Sequence, residues 1–310
     1  MIKVGVIGAG AMGQHHIRVY SSLKGAQLIG IADVAKERIE TLSEQYDTSA
    51  YTDYRELLKQ KIDAVSIAVP TAMHREVALD ALDRGISVLL EKPIADSIQS
   101  ADDLIAKADE KDAKLMIGHI ERFNPVVAKL KEEIASESLG KIVAMSTVRV
   151  GPYNPRIRDV GIITDLAVHD IDIMSHLYAE KVRSVHAYAG SVMHKFEDYA
   201  TIMLGFTNGH SGIIETNWLT PHKARTLTVT GTKAIAYADY IQQTLRICNE
   251  RGETNVRIEK KEPLVNELAS FIRCIKEDTE PAVTGRDGKA ALEVAISAIK
   301  SYKENKTIII

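Results

Sequence analysis

Asp165, His169, Asp172 and His176 recur at i, i+4, i+7 and i+11, a spacing that places all four side chains on one face of a helix. The other faces of that segment hold Leu166, Val168, Ile171, Ile173, Met174 and Leu177. Imidazoles and carboxylates in such a stripe can move protons or chelate a metal, and they equally suit a solvated face or polar residues satisfied in a domain interface. No thiolate and no zinc-protease motif accompanies them, so no metal is expected. A second feature is Gly8-Ala9-Gly10-Ala11-Met12-Gly13, set between an apolar run and a helical pattern. In that context Gly8 permits a tight turn, Gly10 lets the backbone approach a pyrophosphate, and Gly13 lets helix and strand pack closely. Ala11 and Met12 then open a helix whose unpaired N–H groups and dipole favour phosphate. Asp33 lies twenty positions beyond Gly13, where a carboxylate accepts hydrogen bonds from ribose hydroxyls. It would repel a 2′-phosphate, which favours NAD over NADP, although Lys36 and Arg38 soften that preference.

These residues need a scaffold, and the hydrophobic pattern supplies one. Ile2–Ile7, Gln27–Ala32, Ala64–Ala68, Ile86–Leu90 and Lys114–Gly118 read as buried strands separated by helical stretches. Apolar strands alternating with helices predict a doubly wound parallel sheet covered on both faces, a Rossmann-type α/β domain over residues 1–118. After Gly118 one helix is followed by successive strand-like runs, Lys141–Val150, Arg183–Gly190, Ala200–Phe206, His210–Thr216, Arg225–Thr230 and Lys233–Tyr237. Strands without intervening helices predict an open, mostly antiparallel sheet, so residues 119–310 are expected to form an α+β domain for substrate binding and oligomerisation. Its interior helix, about Ile163–Leu177, carries the Asp/His stripe.

Two further motifs follow the strands Ala64–Ala68 and Ile86–Leu90: Val69-Pro70-Thr71 with His74, and Glu91-Lys92-Pro93. Ligands of open α/β sheets bind outside the carboxyl ends of the strands, where Glu91 and Lys92 fall. Together with the glycine turn, these motifs resemble the glucose–fructose oxidoreductase/inositol dehydrogenase (Gfo/Idh/MocA) family over essentially the whole chain. The resemblance implies that Val69, Pro70, Thr71, His74, Glu91 and Lys92 join Gly8, Gly10, Ala11, Met12, Gly13 and Asp33 in holding NAD. It also implies that Lys92, Asp165 and His169 are catalytic, His169 taking the proton of a substrate hydroxyl as hydride leaves the same carbon for the nicotinamide. Asp165 would orient the imidazole or bind a sugar hydroxyl, and Lys92 would stabilise the developing alkoxide.

The substrate reading rests on loops. Gly118-His119-Ile120-Glu121-Arg122-Phe123-Asn124-Pro125 enters the second domain, and the loop holding Tyr153, Arg156 and Arg158 leads into the Asp/His helix. Arginine forks suit phosphate, and Arg225 can add to them, though each alone also reads as a surface charge. Taken together these segments resemble the UDP-N-acetylglucosamine 3-dehydrogenase branch of the family, with Arg122, Asn124, Tyr153, Arg156, Arg158 and Arg225 as substrate residues. A dehydrogenase of a free sugar or inositol and a noncatalytic NAD-binding regulator are the alternatives. The 310-residue chain has 39 Lys plus Arg against 42 Asp plus Glu, a net charge of −3, which removes the basic excess of a nucleic-acid or membrane-surface binder. Its two cysteines, Cys248 and Cys274, are too few for a disulfide framework. A cytoplasmic enzyme working on small molecules as a homodimer or homotetramer is expected.

Overall fold

Alternation of apolar strands with helices builds the first sheet of this computed structural model, which describes residues 1–153 and 160–310. Six parallel strands form it: β1 (Ile2–Ile7), β2 (Ala26–Ala32), β3 (Ser49–Tyr51), β4 (Ala64–Ile67), β5 (Ser87–Glu91) and β6 (Leu115–Gly118). Their spatial order is β3-β2-β1-β4-β5-β6. The order reverses on either side of β1, and that switch point is where such sheets open a crevice for a dinucleotide. Every residue of β4 and β5 is buried, as expected for strands covered on both faces. β3 has no counterpart in the predicted elements, because Ser49-Ala50-Tyr51 is too short to show a period.

The second sheet is mixed and has nine strands. These are β7 (Ile142–Pro152), β8 (Val182–Gly190), β9 (Tyr199–Phe206), β10 (Ser211–Asn217), β11 (Leu219–Gly231), β12 (Ala234–Asp239), β13 (Thr244–Asn249), β14 (Gly252–Val256) and β15 (Ile308–Ile309). The order is β14-β13-β12-β11-β7-β10-β9-β8-β15, antiparallel at every pairing except β10 with β7. β9 and β10 alternate cleanly, buried on one face and exposed on the other. β13, β14 and β15 extend the sheet beyond the predicted strands. The buried face packs on the helix Val168–Tyr178 and its preceding π-helical turn, Ile163–Ala167.

The chain divides into two units, Met1–Ile120 with Glu262–Lys289, and Glu121–Lys261 with Ala290–Ile310. This differs from the continuous 119–310 domain expected from sequence. The helix Pro263–Glu277 buries Leu264, Leu268, Phe271 and Ile272, and it packs against the helix Ala11–Tyr20 and β1 of the first unit. A C-terminal helix looks the same in sequence whichever sheet it covers. Among the described residues no helix is long and apolar enough to cross a membrane.

Candidate functional site

In the first unit the glycine turn behaves as its spacing predicts. Gly8 has φ +92°, and a Cβ there would lie 2.5 Å from the Ala68 carbonyl oxygen; a Cβ on Gly13 would lie 1.8 Å from that of Gly8. Both positions therefore exclude side chains. Gly10 is different, since a Cβ there would meet nothing within 4 Å. It is also the N-cap of the helix Ala11–Tyr20, and no side chain caps that end. An open cradle over uncapped N–H groups fits a pyrophosphate. Gly8, Gly10, Asp33, Val69 and Pro70 line one cavity of about 570 Å³, with Tyr54, Arg55 and Arg38 on its walls. Asp33 accepts from the backbone N–H groups of Ala9 at 2.6 Å and Ala35 at 2.8 Å, and Arg38 lies 3.7 Å from its Oδ1. The turn and the end of β2 are thus fastened together by the carboxylate expected to meet the ribose. Tyr54 and Arg55 were not legible as site residues; they reach the cavity because β3 carries the chain back to the sheet edge.

His74 and Glu91 are engaged inside the protein. His74 is buried, its Nδ1 2.8 Å from the Pro93 carbonyl and its Nε2 3.0 Å from that of Val69, so it joins the segment after β4 to the Lys92–Pro93 turn. Burial lowers its pKa against the pull of those carbonyls. Glu91 faces His16, whose Nε2 lies 3.0 Å from Oε1, and its Oε2 accepts the Lys92 N–H at 3.3 Å. Burial pushes this carboxyl upward, but the imidazole prevails and holds it below the usual carboxylate range. Both residues thus make intramolecular bonds that set the turn bearing half-buried Lys92.

In the second unit Asp165 lies in the π-helical turn and His169 one turn later, buried to 8% exposure. Turns of this kind are a local widening often found at functional sites. The four-residue stripe splits here. Asp172 is buried and receives a two-pronged bond from Arg122, Nε to Oδ2 at 2.8 Å and Nη2 to Oδ1 at 2.5 Å. Lys131 lies 3.1 Å from His176 Nε2. Arg122, expected to bind substrate, is thus occupied by Asp172. Asn124, also expected there, is instead the N-cap of the helix Pro125–Ala135, and its amide donates to Glu121 and to the Tyr240 carbonyl. Tyr153 sits edge-on to Trp218 with His194 beside it. Arg225 stays partly exposed, 3.5 Å from Glu121, and Asp165 is among the charges acting on it. Arg156 and Arg158 lie outside the described residues.

Sequence reading missed a fully buried arginine. Arg149 on β7 donates to both Asp170 oxygens at 2.8 and 3.0 Å and to Glu121 at 2.9 Å, with its guanidinium over the Tyr240 ring. Burial opposes its charge, but the two carboxylates raise its pKa. Glu121 is pushed up by burial and down by Arg149 and Arg225, and the arginines prevail. The signal was available in parity: Met145, Thr147 and Arg149 share the core-facing side of β7. Among the described residues no group of three His, Cys, Asp or Glu side chains is placed to hold a metal ion.

The family model described as "Oxidoreductase family, NAD-binding Rossmann fold" matches residues 2–119, and the GFO/IDH/MocA C-terminal domain matches residues 127–237. The chain is 28% identical over 328 residues to myo-inositol 2-dehydrogenase of Thermotoga maritima, covering 99% of this chain and 98% of that protein. It is also 28% identical over 305 residues to UDP-N-acetylglucosamine 3-dehydrogenase of Acidithiobacillus ferrooxidans, covering 95% of each. A crystal structure of the latter superimposes with a TM-score of 0.91 over 98% of both chains.

Proposed function

Because the chain belongs to the Gfo/Idh/MocA family of NAD-binding oxidoreductases acting on sugar and polyol hydroxyls, we propose that it oxidises C3 of UDP-N-acetylglucosamine to the 3-keto nucleotide sugar. NAD supplies the hydride acceptor. The glycine turn holds its pyrophosphate and Asp33 its ribose. His169 takes the proton of the C3 hydroxyl, Asp165 orients the imidazole, and Lys92 stabilises the alkoxide as the carbonyl forms. The observation that carries the chemistry is a half-buried Lys92 on a turn braced by His74 and Glu91, combined with a buried His169 one turn after Asp165. The substrate choice draws on the relative that acts on that nucleotide sugar and on the Gly118–Pro125 motif.

A free polyol is the second reading, and one observation favours it. Arg122 and Arg225 face Asp172 and Glu121, so neither is an uncompensated charge waiting for a diphosphate. Phosphate recognition then falls to Arg156 and Arg158. The deciding measurement is NADH formation with UDP-N-acetylglucosamine, other UDP-sugars, free hexoses and inositols. Turnover of the UDP-sugar, with a raised KM in Arg156→Ala/Arg158→Ala, is expected; turnover of an inositol with none of the UDP-sugar overturns the first reading. Lys92→Met and His169→Ala should each lower kcat by about 100-fold or more.

We also propose a homo-oligomer built on the outer face of the second sheet. Tyr188, Met203 and Ile213 are exposed there, and the register sets Ile213 opposite Met203 on neighbouring strands.

A further inference from the structure

The helix that carries His169 packs its apolar residues into the core of the second unit and is held by buried charges as well. Asp170 is fully buried in the fork of Arg149, and Asp172 is buried in the fork of Arg122. Arg149 also bonds Glu121, and Glu121 in turn has Arg225 at 3.5 Å. Three arginines thereby balance three carboxylates. Desolvating such groups offsets most of their mutual attraction, and well-packed apolar residues of the same volume commonly do as well or better. What a two-pronged arginine–carboxylate pair adds is direction, because both planar groups must lie in register for both bonds to form.

That direction bears on one residue. In an α-helix successive residues are rotated by about 100°. Asp170 therefore lies about 100° round the helix from His169 on one side, and Asp172 about 60° on the other. The two arginines come from separate elements, Arg149 from β7 and Arg122 from the turn Ile120–Phe123, so the face bearing His169 is gripped on both flanks. Rotation of the helix about its axis stretches one fork or the other. The Glu121 carboxylate, bonded by Arg149 and by the amide of Asn124, ties that turn to β7.

We propose that Arg149–Asp170 and Arg122–Asp172 form a two-sided clamp that sets the rotation of this helix and thereby aims the His169 imidazole, making Arg149, Asp170, Arg122 and Asp172 positioning residues. The inference deepens the proposed function and rests on His169 being the proton acceptor. Its test keeps the two apart. In Asp170→Asn the shape is kept and the charge is lost, and kcat is expected to fall about 100-fold, the cost of a misplacement near 1 Å. The KM for substrate and the Kd for NAD should stay within about twofold, and the ¹⁵N signals of the His169 imidazole should move. Arg149→Lys keeps the charge but not the fork, so it should reproduce the loss in kcat and the shift of the His169 signals without restoring either; it also carries the test if Asp170→Asn fails to fold. A lowered melting temperature with kcat and the His169 signals unchanged in both variants overturns the clamp. If His169→Ala keeps wild-type turnover while Asp170→Asn still moves the imidazole signals, the clamp stands and the catalytic role of His169 falls.

Discussion

The two units meet the demands of a site by opposite means. The first works with backbone: an uncapped helix end, two glycines that exclude side chains, and a third that leaves a cradle open. The second works with buried side-chain charge, Arg149 and Arg122 locked into carboxylates around one helix. Backbone donors have a fixed place in the chain, so a short local motif suffices to create them. A buried guanidinium must find partners far away in sequence, and the pair Arg122 and Asp172 is fifty positions apart. Local recognition is thus written in spacing, whereas the second unit's order emerges only when β7, the Ile120–Phe123 turn and the helix come together.

The contrast can be broken at its strongest point first. Arg149→Met leaves Asp170 buried without its arginine fork and takes from Glu121 the nearer of its two arginines, and chemical denaturation should show a loss of about 3–5 kcal/mol. A loss below 1 kcal/mol would show that water or neighbouring groups already satisfy them. In the first unit, Gly13→Ala forces a Cβ against the Gly8 carbonyl and should cost up to about 3 kcal/mol together with NAD affinity. Gly10→Ala separates these effects: its Cβ meets only the open cradle, so the melting temperature should hold while calorimetry shows weaker NAD binding. Equal NAD affinity in Gly10→Ala would remove the cradle from the cofactor site.

The smallest effect is electrostatic and follows from Glu121. Its folded pKa lies below the ordinary 4.5, so between the two values the unfolded chain binds more protons than the folded one. The stabilisation it contributes is present above pH 4.5 and is lost as pH falls through its folded pKa. Melting curves should therefore drop more steeply with acidification in the wild type than in Glu121→Gln. Parallel curves would mean that Arg149 and Arg225 do not favour the ionised form of Glu121.

Sequence alone determined the doubly wound sheet, the glycine turn with Asp33, and the Asp165/His169 spacing, because apolar period and backbone-permissive residues act over a few positions. It reached less far for the C-terminal helix, whose apolar face covers the first unit, and for the four-residue Asp/His stripe, which packing divides into a buried ion pair at Asp172 and a contact with Lys131 at His176. Arg122 and Asn124 show the same limit: a fork or an amide in a loop is equally ready for a ligand, a carboxylate or a helix end. Only the tertiary structure chose among these partners. A side chain's hydrogen-bonding capacity belongs to its residue type, but what satisfies it depends on which distant groups share its burial.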